Sequence, residues 1–130
     1  MPAALRERLI SLNRSEWVLA RLLSDEQAIE WRDARCVTEQ APSGRLWRFK
    51  SGGGYLVSVS ILEDDGVRPR VYLCVHTRNM IPPAELIAGF LLTVRSGNEN
   101  HLITTGNNYG GYWSEEERLI RQEAGVYDWD

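Results

Sequence analysis

Cys74 and His76 stand two residues apart in Val67 to Arg78, a stretch with the period-2 alternation of a strand. Residues i and i+2 of a strand project to the same face, so this thiol and imidazole are placed to meet one ligand. Such a pair is the beginning of a Cys–His nucleophile, which also needs a group to orient the base, or half of a soft metal site. Nothing in the pattern completes either one. Cys36 and His101 are the remaining soft ligands, and a structural zinc usually takes four at recognisable spacing. No Gly-x-Ser-x-Gly elbow marks a nucleophile. Gly52-Gly53-Gly54 lacks the Lys-Ser/Thr of a phosphate loop and reads as a connector. Asp64-Asp65 before Gly66 is turn chemistry before it is a cation site. The expectation is no metal, no cofactor and no assigned catalytic residue. An enzyme using Cys74, His76 and His101 ranks third among the readings.

Charge carries more. The chain has fifteen basic and eighteen acidic residues, a formal net charge of −3, and Lys50 is its one lysine. A whole-molecule nucleic-acid clamp is therefore not expected. Alternation nonetheless gathers cations on one strand face. Val67, Pro69, Val71, Leu73 and Val75 share one side of their strand; Arg68, Arg70, Tyr72, Cys74, His76 and Arg78 share the other. In the preceding strand Val57, Val59 and Ile61 oppose Ser58, Ser60 and Leu62. Glu63 opposite Val67 would put Val59 across from Val71 and Ser58 across from Tyr72, keeping apolar residues together. Arg48 and Lys50 alternate with Trp47 and Phe49 and join the basic side. The candidate anion-binding set is thus Arg48, Lys50, Arg68, Arg70, Tyr72, His76 and Arg78. The competing reading is a solvated face whose arginines pair with the chain's own acids.

A third candidate is aromatic. Gly106 to Trp113 reads as a loop in which Tyr109, Tyr112 and Trp113 alternate with Gly and Asn, the composition of adaptable contact loops. Tyr127 and Trp129 near the last residue raise the same possibility. All five are candidate partner-binding residues, against the alternative that Tyr112 and Trp113 tuck into the core.

The elements that must hold these side chains follow from periodicity and punctuation. Residues 1–33 read as helical: Leu5, Leu9 and Leu12 at helical spacing, a stripe of Val18, Leu19, Leu22 and Leu23 after Ser15, and a capping box at Ser24-Asp25-Glu26-Gln27. Residues 35–78 read as antiparallel strands, with Pro42-Ser43-Gly44 and Asp64-Asp65-Gly66 as hairpin turns. Pro82-Pro83 opens a helix over 83–95, apolar nearly all round through Leu86 to Leu92 and so expected at the centre of the core. Residues 101–105 read as a strand. Ser114-Glu115-Glu116-Glu117 caps a helix over 115–125.

The predicted fold is a single α+β domain. An antiparallel sheet of about four or five strands is packed on one face by the central helix and by the N- and C-terminal helices. With 130 residues the chain is long enough to bury its own core. No apolar run approaches a membrane span, and the first residues lack a signal-peptide pattern, so the expected location is cytoplasmic without membrane contact. The leading functional expectation is a small acidic non-enzymatic interaction module, whether adaptor, chaperone or inhibitor. Its element order resembles that of type III secretion chaperones, without any shared motif. Another protein is the expected partner, with a homodimer possible. The alternative is a binding module for a small anionic ligand or single-stranded nucleic acid.

Overall fold

The computed structural model describes residues 14–52, 56–74 and 80–126, and of Cys74, Asn107 and Tyr109 the backbone alone. The expected helix over 3–12 lies outside the described residues, as do His76, Arg78, Tyr127 and Trp129. Residues 14–22 are helical (α1). They are followed by α2 (Asp25–Ala34), β1 (Cys36–Gln40), β2 (Leu46–Ser51), β3 (Val57–Leu62) and β4 (Pro69–Cys74). Then come α3 (Pro83–Arg95), α4 (Glu99–Thr105), β5 (Asn107–Gly111) and α5 (Glu115–Glu123). The strands form one antiparallel sheet in chain order, and the helices pack on it as a single α+β domain.

Local chemistry starts these elements where the sequence places them. Both capping boxes are made: Ser24 and Gln27 exchange bonds at the head of α2, and Ser114 and Glu117 do so at α5. Pro83 supplies the fixed φ that opens α3. Gly44, at φ 98, closes the first hairpin, with Gly44 N–H donating to the Ala41 carbonyl.

The face division is as alternation requires. Val37, Phe49, Val59 and Leu73 lie in register across four strands, with Trp47, Ile61 and Val71 in the adjacent row. All seven are buried. Against them α3 sets Ile87, Phe90, Leu91 and Val94, α4 sets Leu102 and Ile103, and α1 sets Leu19. Phe49 stacks between Trp47 and Phe90, at 6.3 and 5.4 Å. Each such side chain contributes about 1.5–3 kcal/mol on burial. The opposite face carries the rows Thr38–Arg48–Ser60–Tyr72 and Cys36–Lys50–Ser58–Cys74. The outer edge of β1 is closed by α2: Gln27 Nε2 donates to the Thr38 carbonyl at 2.8 Å, and Thr38 N–H donates to Glu30 Oε1 at 2.6 Å.

Three local expectations are corrected. Residues 101–105, expected as a strand, are helix. Leu102 and Ile103 are adjacent yet both buried, which a strand with one buried face does not allow. The Thr104 and Thr105 hydroxyls donate to the Asn100 and His101 carbonyls one turn back. Tertiary burial has overridden β propensity. The expected loop after Gly106 instead contains β5, the partner β4 needs on its free side. Its glycines fit because Tyr72 lies over Gly110, and Gly111, at φ 80, sits where any Cβ would strike the Arg70 carbonyl. Finally, Val59 faces Leu73 and Ser60 faces Tyr72, a shift of two residues from the expected register. The turn is longer than three residues. Asp65 Oδ1 accepts from the Val67 and Arg68 amides, Gly66 adopts φ 70, and β4 starts only at Pro69. An even shift leaves the faces of Val57 to Ile61 and of Val71 to Leu73 intact. Val67, expected on the apolar side, is instead exposed in the turn with Arg68, and Leu62, expected on the opposite side, is buried where the ladder slips between Ile61 and Leu62.

α3 is likewise not apolar all round in its surroundings, since Leu92 is 53% exposed.

Candidate functional site

The basic face resolves residue by residue. Arg48 is half-buried, and its guanidinium donates to the Val67 carbonyl at 3.1 Å and, from Nη2, to Gly66 O at 3.5 Å. It thereby fastens the β3–β4 turn down over the sheet. Arg68 is exposed, with Nε 2.7 Å from Asp65 Oδ2. The Arg68 and Val67 amides, then the Arg68 side chain, hold the Asp65 carboxyl down at about 2. Arg70 Nη1 and Nη2 grip Glu117 in parallel at 2.7 and 2.8 Å. Lys50 is exposed. So three arginines of the proposed anion set are engaged by the chain's own acids and carbonyls.

Tyr72 is 39% exposed and Tyr112 is 54% exposed. Tyr112 O–H donates to Glu63 at 3.1 Å, and its ring centre is 5.8 Å from the Arg70 guanidinium carbon. The bond to the Glu63 carboxylate, with a little burial, pushes this phenol above its usual range. Val67, 66% exposed, rides on the turn that Arg48 holds. Trp113, counted among the contact residues, belongs to the core instead. It is 5% exposed, under the Arg121 guanidinium at 4.6 Å, and its Nε1 has no hydrogen-bond partner among the described residues. The residue next to an exposed Tyr112 turns inward because the chain has left β5 and is entering the α5 cap. Tyr109 sits in β5, and its side chain is not among those described.

The nucleophile candidates are not assembled by anything described. Cys74 pairs with Ser58 and Asn107 in the sheet. His101 is exposed on α4, lining an apolar groove of about 360 Å³ with Ile81, Leu86 and Phe90. Cys36 is buried, with Sγ 3.6 Å from Glu30 Oε2; burial, then the Glu30 charge, pushes its thiol up and away from thiolate chemistry. Among the described residues no group of three or more His, Cys, Asp and Glu is arranged to hold a metal ion.

What alternation did not reveal is a buried cluster of opposite charges at one end of the sheet. Arg45, just before β2, donates from Nε to Glu117 at 2.8 Å, from Nη1 to Glu99 at 3.2 Å and from Nη2 to Glu116 at 2.7 Å. Glu99, 4% exposed at the head of α4, also accepts from Trp47 Nε1 at 3.3 Å and Ser43 Oγ at 2.6 Å. Burial alone would raise the Glu117 carboxyl. Bonds from Arg70 and Arg45 and from the Ser114 amide outweigh it and hold it at about 2. Burial works against the Arg45 charge too, yet its three carboxylate partners keep it more firmly protonated than a free arginine. A polar cleft of about 480 Å³ opens beside the cluster, lined also by Glu63 and Asp64. A carboxylate held so low is a poor proton acceptor at neutral pH. The one sequence signal was Glu117 as the N3 residue of a capping box; its two arginines stand 72 and 47 residues away.

Set beside known proteins, the chain matches no family model, no curated protein and no solved structure.

Proposed function

We propose that the chain is a non-enzymatic protein-interaction module, adaptor, chaperone or inhibitor-like in role, that contacts its partner through the sheet face turned away from the core. The observation that carries this reading is the exposure of Tyr72, Tyr112 and Val67, with half-buried Arg48 in the same row as Tyr72 and bonded to the Val67 carbonyl. Aromatic rings and arginine are enriched where binding energy concentrates. Tyr72 lies over Gly110 and Tyr112 O–H is tied to Glu63, contacts that lower the ordering cost of binding. The described helices α1, α3 and α4 pack their buried side chains on the other face.

The test is a photo-crosslinker placed at Val67, compared with one at Leu92 on α3, followed by recovery of the crosslinked species from the native cell. A specific partner, or a second copy of the chain, is expected at Val67 and not at Leu92. Tyr112→Ala should weaken that complex by about 2 kcal/mol or more while moving the unfolding midpoint little. Unchanged affinity in Tyr112→Ala, with the partner recovered equally from Leu92, would sink the reading.

For an anion-binding role the described residues offer exposed Lys50, and Arg68, exposed but bonded to Asp65. Single-stranded nucleic acid or a phosphorylated ligand bound there should lose affinity steeply with rising salt.

A further inference from the structure

α5 buries two of its side chains, Glu117 and Arg121, and neither is apolar. Ile120 adds a partly buried contact to the core, while Leu119 stays 53% exposed. Arg121 meets the Ile103 and Gly106 carbonyls at 2.7 and 3.2 Å. A surface helix ordinarily docks by an apolar stripe, as α3 does with Ile87, Phe90, Leu91 and Val94. α5 docks largely by charge. Removing guanidinium and carboxylate from water costs about what their attraction returns, so the net hold on this helix is weak compared with the hold on α3.

The receptor for Glu117 belongs to the sheet. Arg70 in β4 presents the two-pronged grip, and Arg45 at the start of β2 adds a third contact. Each arginine is also steadied from elsewhere: Arg45 by Glu99 at 3.2 Å, Arg70 by the Tyr112 carbonyl at 3.3 Å. This is the geometry by which arginines recognise a carboxylate from outside.

We propose that α5 is a releasable clasp whose Glu117 fills a carboxylate-binding fork made by Arg45 and Arg70, and that an acidic peptide segment of a partner takes the fork when α5 lifts away. Lifting α5 withdraws Glu116 and Glu117 together, which leaves two guanidiniums against the single buried carboxylate of Glu99. Glu63 and Asp64 also line the cleft, so one carboxylate of the segment seats in the fork while its neighbours stay in solvent. The fork and the exposed tyrosine face use different side chains, and either can hold without the other. While α5 is closed, the apparent affinity for such a segment is reduced by the fraction of molecules in which it has opened.

Native-state hydrogen exchange on the full chain, with acetyl-hexaglutamate at low ionic strength as the probe, tests this. Amides of α5 are expected to exchange at least roughly tenfold faster than those of β3 after correction for intrinsic rates, through an opening that leaves the sheet closed. Hexaglutamate should accelerate α5 exchange further and leave β3 unchanged. Glu117→Gln, which takes the Glu117 charge from Arg70 and one of three carboxylate partners from Arg45, should release α5 and tighten hexaglutamate binding by roughly 100-fold. Adding Arg70→Ala should abolish that gain. One common exchange rate for α5 and β3, or no response of α5 to hexaglutamate, overturns the proposal. These two readings on the native chain decide the matter even if Glu117→Gln does not fold. If it folds, binding no tighter than the native chain's overturns the proposal as well.

Discussion

Two residues separate what a side chain is from where it sits. Trp113 has the composition of a contact residue and the position of a core one. Trp113→Ala should lower stability by about 3–5 kcal/mol, the cost of an emptied aromatic site, as read by urea denaturation. Trp113→Phe should retain most of that stability, because the buried Nε1 it removes has no partner to lose among the described residues. Equal losses in the two variants would mean the indole nitrogen is satisfied after all. Glu117 makes the second case. Its carboxyl is depressed from 4.5 to about 2 on folding, so the unfolded chain binds the proton more readily. The resulting stability is fully present above about pH 5 and is lost as pH falls toward 2. It amounts to roughly 3 kcal/mol in the charged over the neutral form. That figure compares two protonation states of one carboxyl and does not include the desolvation of its arginines. Unfolding midpoints measured from pH 6 to pH 2 should fall more steeply in the native chain than in Glu117→Gln. Parallel curves would remove Glu117 from the acid response.

At the scale of elements, two glycines with the same side chain do opposite work. Gly111 closes β5 with φ 80, and a Cβ there would collide with the Arg70 carbonyl. Gly111→Ala should therefore destabilise the β4–β5 pair, by about 2 kcal/mol or more. Gly89 lies in the middle of α3 with open space where its Cβ would be. Gly89→Ala should stabilise by about 0.5–1 kcal/mol through the reduced entropy of the unfolded chain. Paired thermal melts give the answer, and a gain in both or a loss in both contradicts the geometry. The sheet's two edges differ in the same local way. β1 is sealed by Gln27 and Glu30 from α2, whereas β5 has one extra residue between Asn108 and Gly110, opposite Leu73 and Tyr72 of β4, a common way of blunting an edge.

For the whole molecule, much of the architecture was legible in the chain. Period-2 alternation in β2, β3 and β4 separated Trp47, Phe49, Val59, Ile61, Val71 and Leu73 from Arg48, Lys50, Ser58, Ser60 and Tyr72. That separation survives an error of two residues in register, because strand faces depend only on parity. Capping boxes at Ser24 and Ser114 and the prolines before α3 located three helix starts, because those signals act through bonds within four residues. What lay beyond the sequence were choices settled between distant segments. His101 to Thr105 became helix since α4 buries both Leu102 and Ile103. Asn107 to Gly111 became a strand since β4 had a free side and Tyr72 could cover a glycine. Arg70, read as an outward cation, was claimed by a glutamate 47 residues further on, and Arg45 by the same glutamate across 72. Alternation and capping are encoded locally and can be read locally. Which acid an arginine meets depends on how strands and helices converge in three dimensions, and only the tertiary structure decides that.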